Sequence, residues 1–167
     1  MANTKNPLIF LVEDDPAFRK MIDAYLKSQR LTNIKQFSSG EEMLKQLTKE
    51  MPQLIVEDFD LGAGKLNGLE IFKKAREINP KVDFIFLSGQ STIEVAVEAI
   101  KLGAYDYVVK DEFAKENLLH RVKRYVFQKN LISKQDALLM GGLFVVALLI
   151  IICVACYMAG LRLVVLK

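Results

Sequence analysis

Short apolar runs recur through the first two thirds of the chain, at Leu8–Val12, Ile34–Phe37, Leu54–Glu57, Phe84–Leu87 and Tyr107–Val109. Residues that are apolar in succession, rather than at alternate positions, suit strands covered on both faces of a parallel sheet. The second run is the weakest, because Lys35 and Gln36 interrupt it. Between the runs the apolar spacing lengthens to three and four: Phe18, Met21, Ile22, Tyr25 and Leu26; Leu69, Ile71, Phe72, Ala75 and Ile78; Leu118, Leu119, Val122, Tyr125 and Val126. That spacing predicts helices that each bury one stripe. Their starts are marked by Asp15 ahead of Pro16, by Ser38-x-x-Glu41, by Asn67 and by Ser91-x-x-Glu94, with the fifth helix opening near Asp111. Five strands alternating with five helices predict an α/β fold, a doubly wound (βα)5 parallel sheet.

The pattern changes near the C-terminus. From Ala137 to Leu161 no charged residue occurs, a stretch longer than the roughly 20 residues that cross a bilayer core. It predicts a single-pass transmembrane helix. Arg121, Lys123, Arg124, Lys129 and Lys134 precede it, against Arg162 and Lys167 after it, so the N-terminal domain is expected to face the cytoplasm. Leu8–Val12 is too short for a signal peptide, which agrees with that side. The expected organisation is a globular domain over 1–128, a juxtamembrane linker or helix extension over 129–136, a span over 137–161 in the cytoplasmic (inner) membrane and a short tail over 162–167. No Gly or Pro interrupts Asp111 to Met140, so the fifth helix is expected to run unbroken into the span. Cys153-x-x-Cys156 lies inside the apolar stretch with no His or further Cys nearby and reads as packing rather than redox or zinc chemistry. Ala155 with Ala159, and Cys156 with Gly160, are small residues four apart that permit close helix approach.

Composition narrows the partners. The 167 residues carry a net charge of +3 with acids and bases interspersed, so no basic stripe marks a nucleic-acid partner.

The chemistry lies where the strands end. In doubly wound sheets ligands bind beyond the carboxyl ends of the strands, where the winding reverses. One step past the four strong strands come Glu13-Asp14, Asp58, Ser88 and Lys110. Two carboxylates about 4 Å apart repel by roughly 4 kcal/mol at an effective dielectric near 20, and one lysine does not cancel three acids. A hard divalent cation such as Mg²⁺, bound by oxygen, would do so and leave room for a phosphate oxygen. A carboxylate beside that ion and an ammonium can attack phosphorus.

VEDD at Val12–Asp15, Asp58 closing a hydrophobic strand, Ser88 in FLSG and Lys110 in GAYDYVVK resemble the receiver domain of two-component response regulators over roughly residues 6 to 128. The resemblance implies a flavodoxin-like fold in which Asp58 accepts a phosphoryl group from a histidine kinase or histidine phosphotransfer protein. It implies that Asp14, Asp58 and the backbone carbonyl of Asp60 bind Mg²⁺, while Glu13 binds through water or completes the shell. Lys110 would pair with one phosphoryl oxygen and Ser88 would hydrogen-bond another. Ser88 and Tyr107 would form the switch, and Asp60 and Gln90 would tune the lifetime of the phosphoryl group. Three departures stand out. The loop LGAGKLNG after the acceptor lacks the family's proline and is about two residues longer, Asp111 replaces the proline after the lysine, and Glu57 replaces an apolar residue. Glu57 should point away from Asp58 and needs a partner of its own.

Two other functions start from the same residues. Asp58-x-Asp60 with a later Ser and Lys resembles haloacid dehalogenase-type phosphatases, but those place further metal-binding acids after the lysine, whereas Glu13-Asp14 come first. A membrane scaffold signalling without phosphorylation is the other. GAGKL lacks the leading Gly and the Ser or Thr of a nucleotide loop, and the single His120 reads as a surface residue. The sequence therefore predicts a membrane-tethered phosphorelay protein, not an enzyme beyond its own phosphotransfer and autodephosphorylation, that signals to a downstream protein by contact.

Overall fold

The computed structural model describes residues 6–62, 66–89 and 93–165; Gln90, Ser91 and the 63–65 stretch lie outside the described residues, as do the side chains of Cys156 and Ala159. Five strands, β1 (Ile9–Val12), β2 (Ile34–Phe37), β3 (Leu54–Asp58), β4 (Asp83–Ser88) and β5 (Asp106–Val109), alternate with α1 (Pro16–Ser28), α2 (Gly40–Leu47), α3 (Gly68–Ile78), α4 (Ile93–Lys101) and α5 (Ala114–Val165). All strand pairs are parallel, in the order β2-β1-β3-β4-β5. The chain winds outward from β1 to β2, then crosses back to β3, so the carboxyl ends of β1 and β3 flank the switch point.

Two apolar layers cover the sheet. Phe10, Ile55, Phe84 and Phe86 meet α2, α3 and α4 through Met43, Leu47, Ile71, Phe72 and Ala99 on one face. Ile9, Leu11, Leu54, Val56, Ile85 and Val108 meet α1 and α5 through Ile22, Leu26, Leu118 and Val122 on the other. Alternation along each strand assigns the faces. Continued past the row Ile9, Leu11 it reaches Glu13; past Leu54, Val56 it reaches Asp58; past Val108 it reaches Lys110. Three charged groups are thereby aimed at one corner by strand parity alone.

Helix starts follow their caps, with two corrections. Asp15 accepts from the Ala17 N–H at 2.8 Å ahead of Pro16. Asn67 and Glu70 form a reciprocal box, with bonds of 3.0 and 2.9 Å. The cap expected at Ser38, with Glu41 closing a box, falls on Ser39 instead: Ser39 accepts from the Glu42 N–H at 3.2 Å, and Glu42 accepts from the Ser38 N–H, one residue ahead of the cap, at 3.1 Å. The last helix opens at Ala114 rather than near Asp111. Asp111 instead forms a turn ahead of it, its Oδ1 accepting from the Phe113 N–H at 2.9 Å.

The chain divides into two units, Met1–Val126 and Phe127–Lys167. In the second, α5 continues through Gly141 and Gly142 to Val165. It contains a segment long and apolar enough to cross a membrane, and none of that segment is buried within the chain.

Candidate functional site

Glu13, Asp14, Asp58 and Lys110 converge at the carboxyl edge of the sheet. Lys110 Nζ lies 2.7 Å from Glu13 Oε2 and 2.7 Å from Asp58 Oδ2. One carboxylate oxygen from each of Glu13, Asp14 and Asp58 lies within 4.8 Å of the others. Glu13 and Asp58 are 1% and 3% exposed, whereas Asp14 is half-buried.

Backbone bonds hold the corner in place. The Phe59 N–H donates to the Leu87 carbonyl at 2.7 Å, carrying the β3–β4 pairing one residue past Asp58. The Lys110 N–H donates to the Ser88 carbonyl at 2.8 Å and does the same for β4 and β5. Asp58 Oδ1 accepts from the Asp60 N–H at 3.2 Å, and Glu13 Oε1 from the Asp15 N–H at 3.4 Å. Arg19, from the first turns of α1, donates to the carbonyl of Glu13 and to that of Asp14. The Phe18 ring lies beneath Lys110, 4.8 Å from Nζ to the centroid, a distance at which a ring face favours a cation.

Burial sets the electrostatics. It pushes the Glu13 carboxyl up to about 7, assisted by the charge of Asp58 and opposed by the hydrogen bond from Lys110. At Lys110 burial works against the charge, but the hydrogen bonds to Asp58 and Glu13 outweigh it and hold the ammonium above its ordinary value. The corner keeps its positive charge and still has an excess of acid, so without a further cation one carboxyl readily holds a proton near neutrality. An all-oxygen donor set of three carboxylates in that condition fits a hard divalent ion.

The remaining expected residues are distributed around this corner. Ser88 is fully buried at the end of β4. Tyr107 is half-buried and, with Ala96, Val97, Ile100, Lys101 and Asp106, lines a cavity of about 410 Å³ between α4 and β5. Asp60 is exposed, and Gln90 lies outside the described residues. Glu57 points away from Asp58 as expected, into the face holding Phe86, yet neither of its oxygens has a hydrogen-bond partner among the described residues. Sequence reasoning missed Arg19 and gave Phe18 only a packing role. Their signal was position, since both lie in the turn that follows Glu13-Asp14 and so face the same edge.

The profile of the response regulator receiver domain matches residues 9–123. An NtrX-like response regulator from Rickettsia felis is 34% identical over 116 residues, 70% of this chain and 24% of its own length. NtrX from Brucella abortus, 25% identical, superposes with a TM-score of 0.70 over 80% of this chain and 29% of that one. DrrB from Thermotoga maritima, 33% identical, gives 0.63 over 72% and 52%. The chain spans about a quarter of the length of curated relatives such as the first. With the βα order, the strand order and the matched region in agreement, the chain belongs to the response regulator receiver domain family of two-component systems.

Proposed function

We propose that Asp58 accepts a phosphoryl group from a histidine kinase or histidine phosphotransfer protein, in a site that Mg²⁺ completes through Glu13, Asp14, Asp58 and the backbone carbonyl of Asp60. The observation that carries this reading is a lysine within 2.7 Å of two buried carboxylates at the switch point, with a third carboxylate within 4.8 Å. When bound, Mg²⁺ offsets the charge on the phosphoryl oxygens. An Asp58 oxygen forms the new O–P bond as the P–N bond of the donor histidine breaks and the imidazole departs. Lys110 holds its ammonium ready for a phosphoryl oxygen, and the Ser88 hydroxyl serves another. Movement of Ser88 toward that oxygen frees Tyr107 to turn inward and reshape the cavity at α4 and β5, a two-state element that the phosphoryl group biases. A downstream protein reads that surface by contact, while Asp60 and Gln90 tune the lifetime of the phosphoryl group.

The receiver domain extends over 1–128 and the linker or helix extension over 129–136. The span, 137–161, anchors the chain in the cytoplasmic membrane with the receiver on the cytoplasmic side, and 162–167 form the tail. Support comes from an apolar segment with none of its length buried.

Acetyl phosphate with Mg²⁺ is the direct test. One phosphoryl group per chain, stable in acid and labile in base, should appear by intact mass, vanish in Asp58→Asn and be prevented by EDTA. Equal incorporation in Asp58→Asn would refute the acceptor assignment.

A further inference from the structure

Gly62 stands four residues past Asp58, with φ +89°, in the loop where the resemblance to receiver domains implies a proline. L side chains rarely adopt that conformation, and the proline ring forbids it. A Cβ placed on Gly62 would come 3.3 Å from Asp14 Oδ2, closer than ordinary van der Waals contact, and within 4 Å of no other atom beyond its chain neighbours among the described residues. A side chain at this position would therefore press on one particular carboxylate.

That carboxylate is the least constrained of the three. Glu13 is held by Lys110 and the Asp15 N–H, and Asp58 by Lys110 and the Asp60 N–H. Among the described residues no hydrogen bond or ion pair is found for the Asp14 carboxylate, which is also the most exposed of the set. We infer that Gly62 is a positioning residue for Asp14: having no side chain, it leaves this carboxylate room to turn toward Glu13 and Asp58, and so sets the affinity for Mg²⁺. The inference rests on the metal reading above and deepens it.

The test is a calorimetric Mg²⁺ titration of the full-length chain in detergent micelles, with melting temperatures recorded in EDTA. Gly62→Ala should weaken Mg²⁺ binding roughly tenfold, the low end of what supporting partners of metal ligands contribute. Gly103→Ala separates strain from intrusion. Gly103 also has positive φ, +95°, but an added Cβ there meets nothing within 4 Å, so this variant should melt lower and bind Mg²⁺ as the wild type does. In an Asp14→Ala background Gly62→Ala should cost no further affinity, because the group it acts through is gone. If the wild-type chain takes up no Mg²⁺, the metal reading itself falls and this inference with it. If the wild type binds and Gly62→Ala binds equally well, or its loss persists undiminished without Asp14, only the role of Gly62 falls.

Discussion

Burying a carboxyl group without a partner costs stability, and Glu57, at 0% exposure, has no hydrogen-bond partner among the described residues. It sits in the sheet between Val12 and Phe86. Burial, then the charges of Asp58 and Glu41, raise its pKa well above the ordinary value. A carboxyl with a raised folded pKa holds its proton more tightly in the fold than in the unfolded chain, so stability is lost as pH rises above the unfolded value of about 4.3. Glu57→Leu, close in volume, removes both the orphaned oxygens and this dependence. We expect it to stabilise the receiver unit by about 1–3 kcal/mol, the usual cost of an unsatisfied buried polar group. The gain should be larger at pH 8 than at pH 5 when urea unfolding is followed by circular dichroism. A loss of stability at pH 8 would mean that the carboxyl has a partner after all. The sequence exposed Glu57 as an oddity, since it breaks an apolar run, and strand parity told which way it points. Its isolation was not legible, because that depends on which side chains from α2 and α3 approach it.

At the scale of elements, what was legible is what is local. Successive apolar residues marked every strand to within a residue or two, and reading one step past the strand ends put Glu13, Asp58 and Lys110 at one edge of the sheet; parity along β1, β3 and β5, visible in the fold, then turns all three toward the same face. The displaced start of α2 shows the limit of that reasoning. Ser38 and Ser39 each have an acid three residues on, Glu41 and Glu42, so spacing alone admits two registers. Packing chooses between them: a Cβ on Gly40 would strike the Ile71 side chain, and Met43 and Leu47 must both reach the core. Ser39→Ala should therefore cost about 1 kcal/mol, the typical value of an N-cap, and Ser38→Ala less, as read from urea midpoints. Equal effects would return the cap to the expected register. The approach of Gly62 to Asp14 and of Phe18 to Lys110 was not legible for a related reason, since loop path and helix docking decide both.

At the scale of the whole molecule the dominant fact is a helix whose described residues from Leu131 to Ala155 are all exposed. In water such a surface would drive association far beyond the patch a soluble protein tolerates, whereas a bilayer core satisfies it and leaves every backbone bond inside the helix intact. The basic residues ahead of it, from Arg121 to Lys134, outnumber Arg162 and Lys167 behind it, which is the ground for proposing that the receiver faces the cytoplasm. Two measurements follow from this argument. If the helix spans the bilayer, the full chain should stay with the membrane pellet through alkaline carbonate and urea washes, conditions that strip surface-bound proteins, and be released by detergent, because roughly 20 apolar residues would then hold it rather than charge. A thiol introduced by Lys129→Cys, with Cys153 and Cys156 replaced by Ala, should react with a membrane-impermeant maleimide in inverted vesicles and resist it in intact spheroplasts. Release by carbonate would reduce the helix to a surface contact. Labelling only in spheroplasts would overturn the cytoplasmic placement of the receiver.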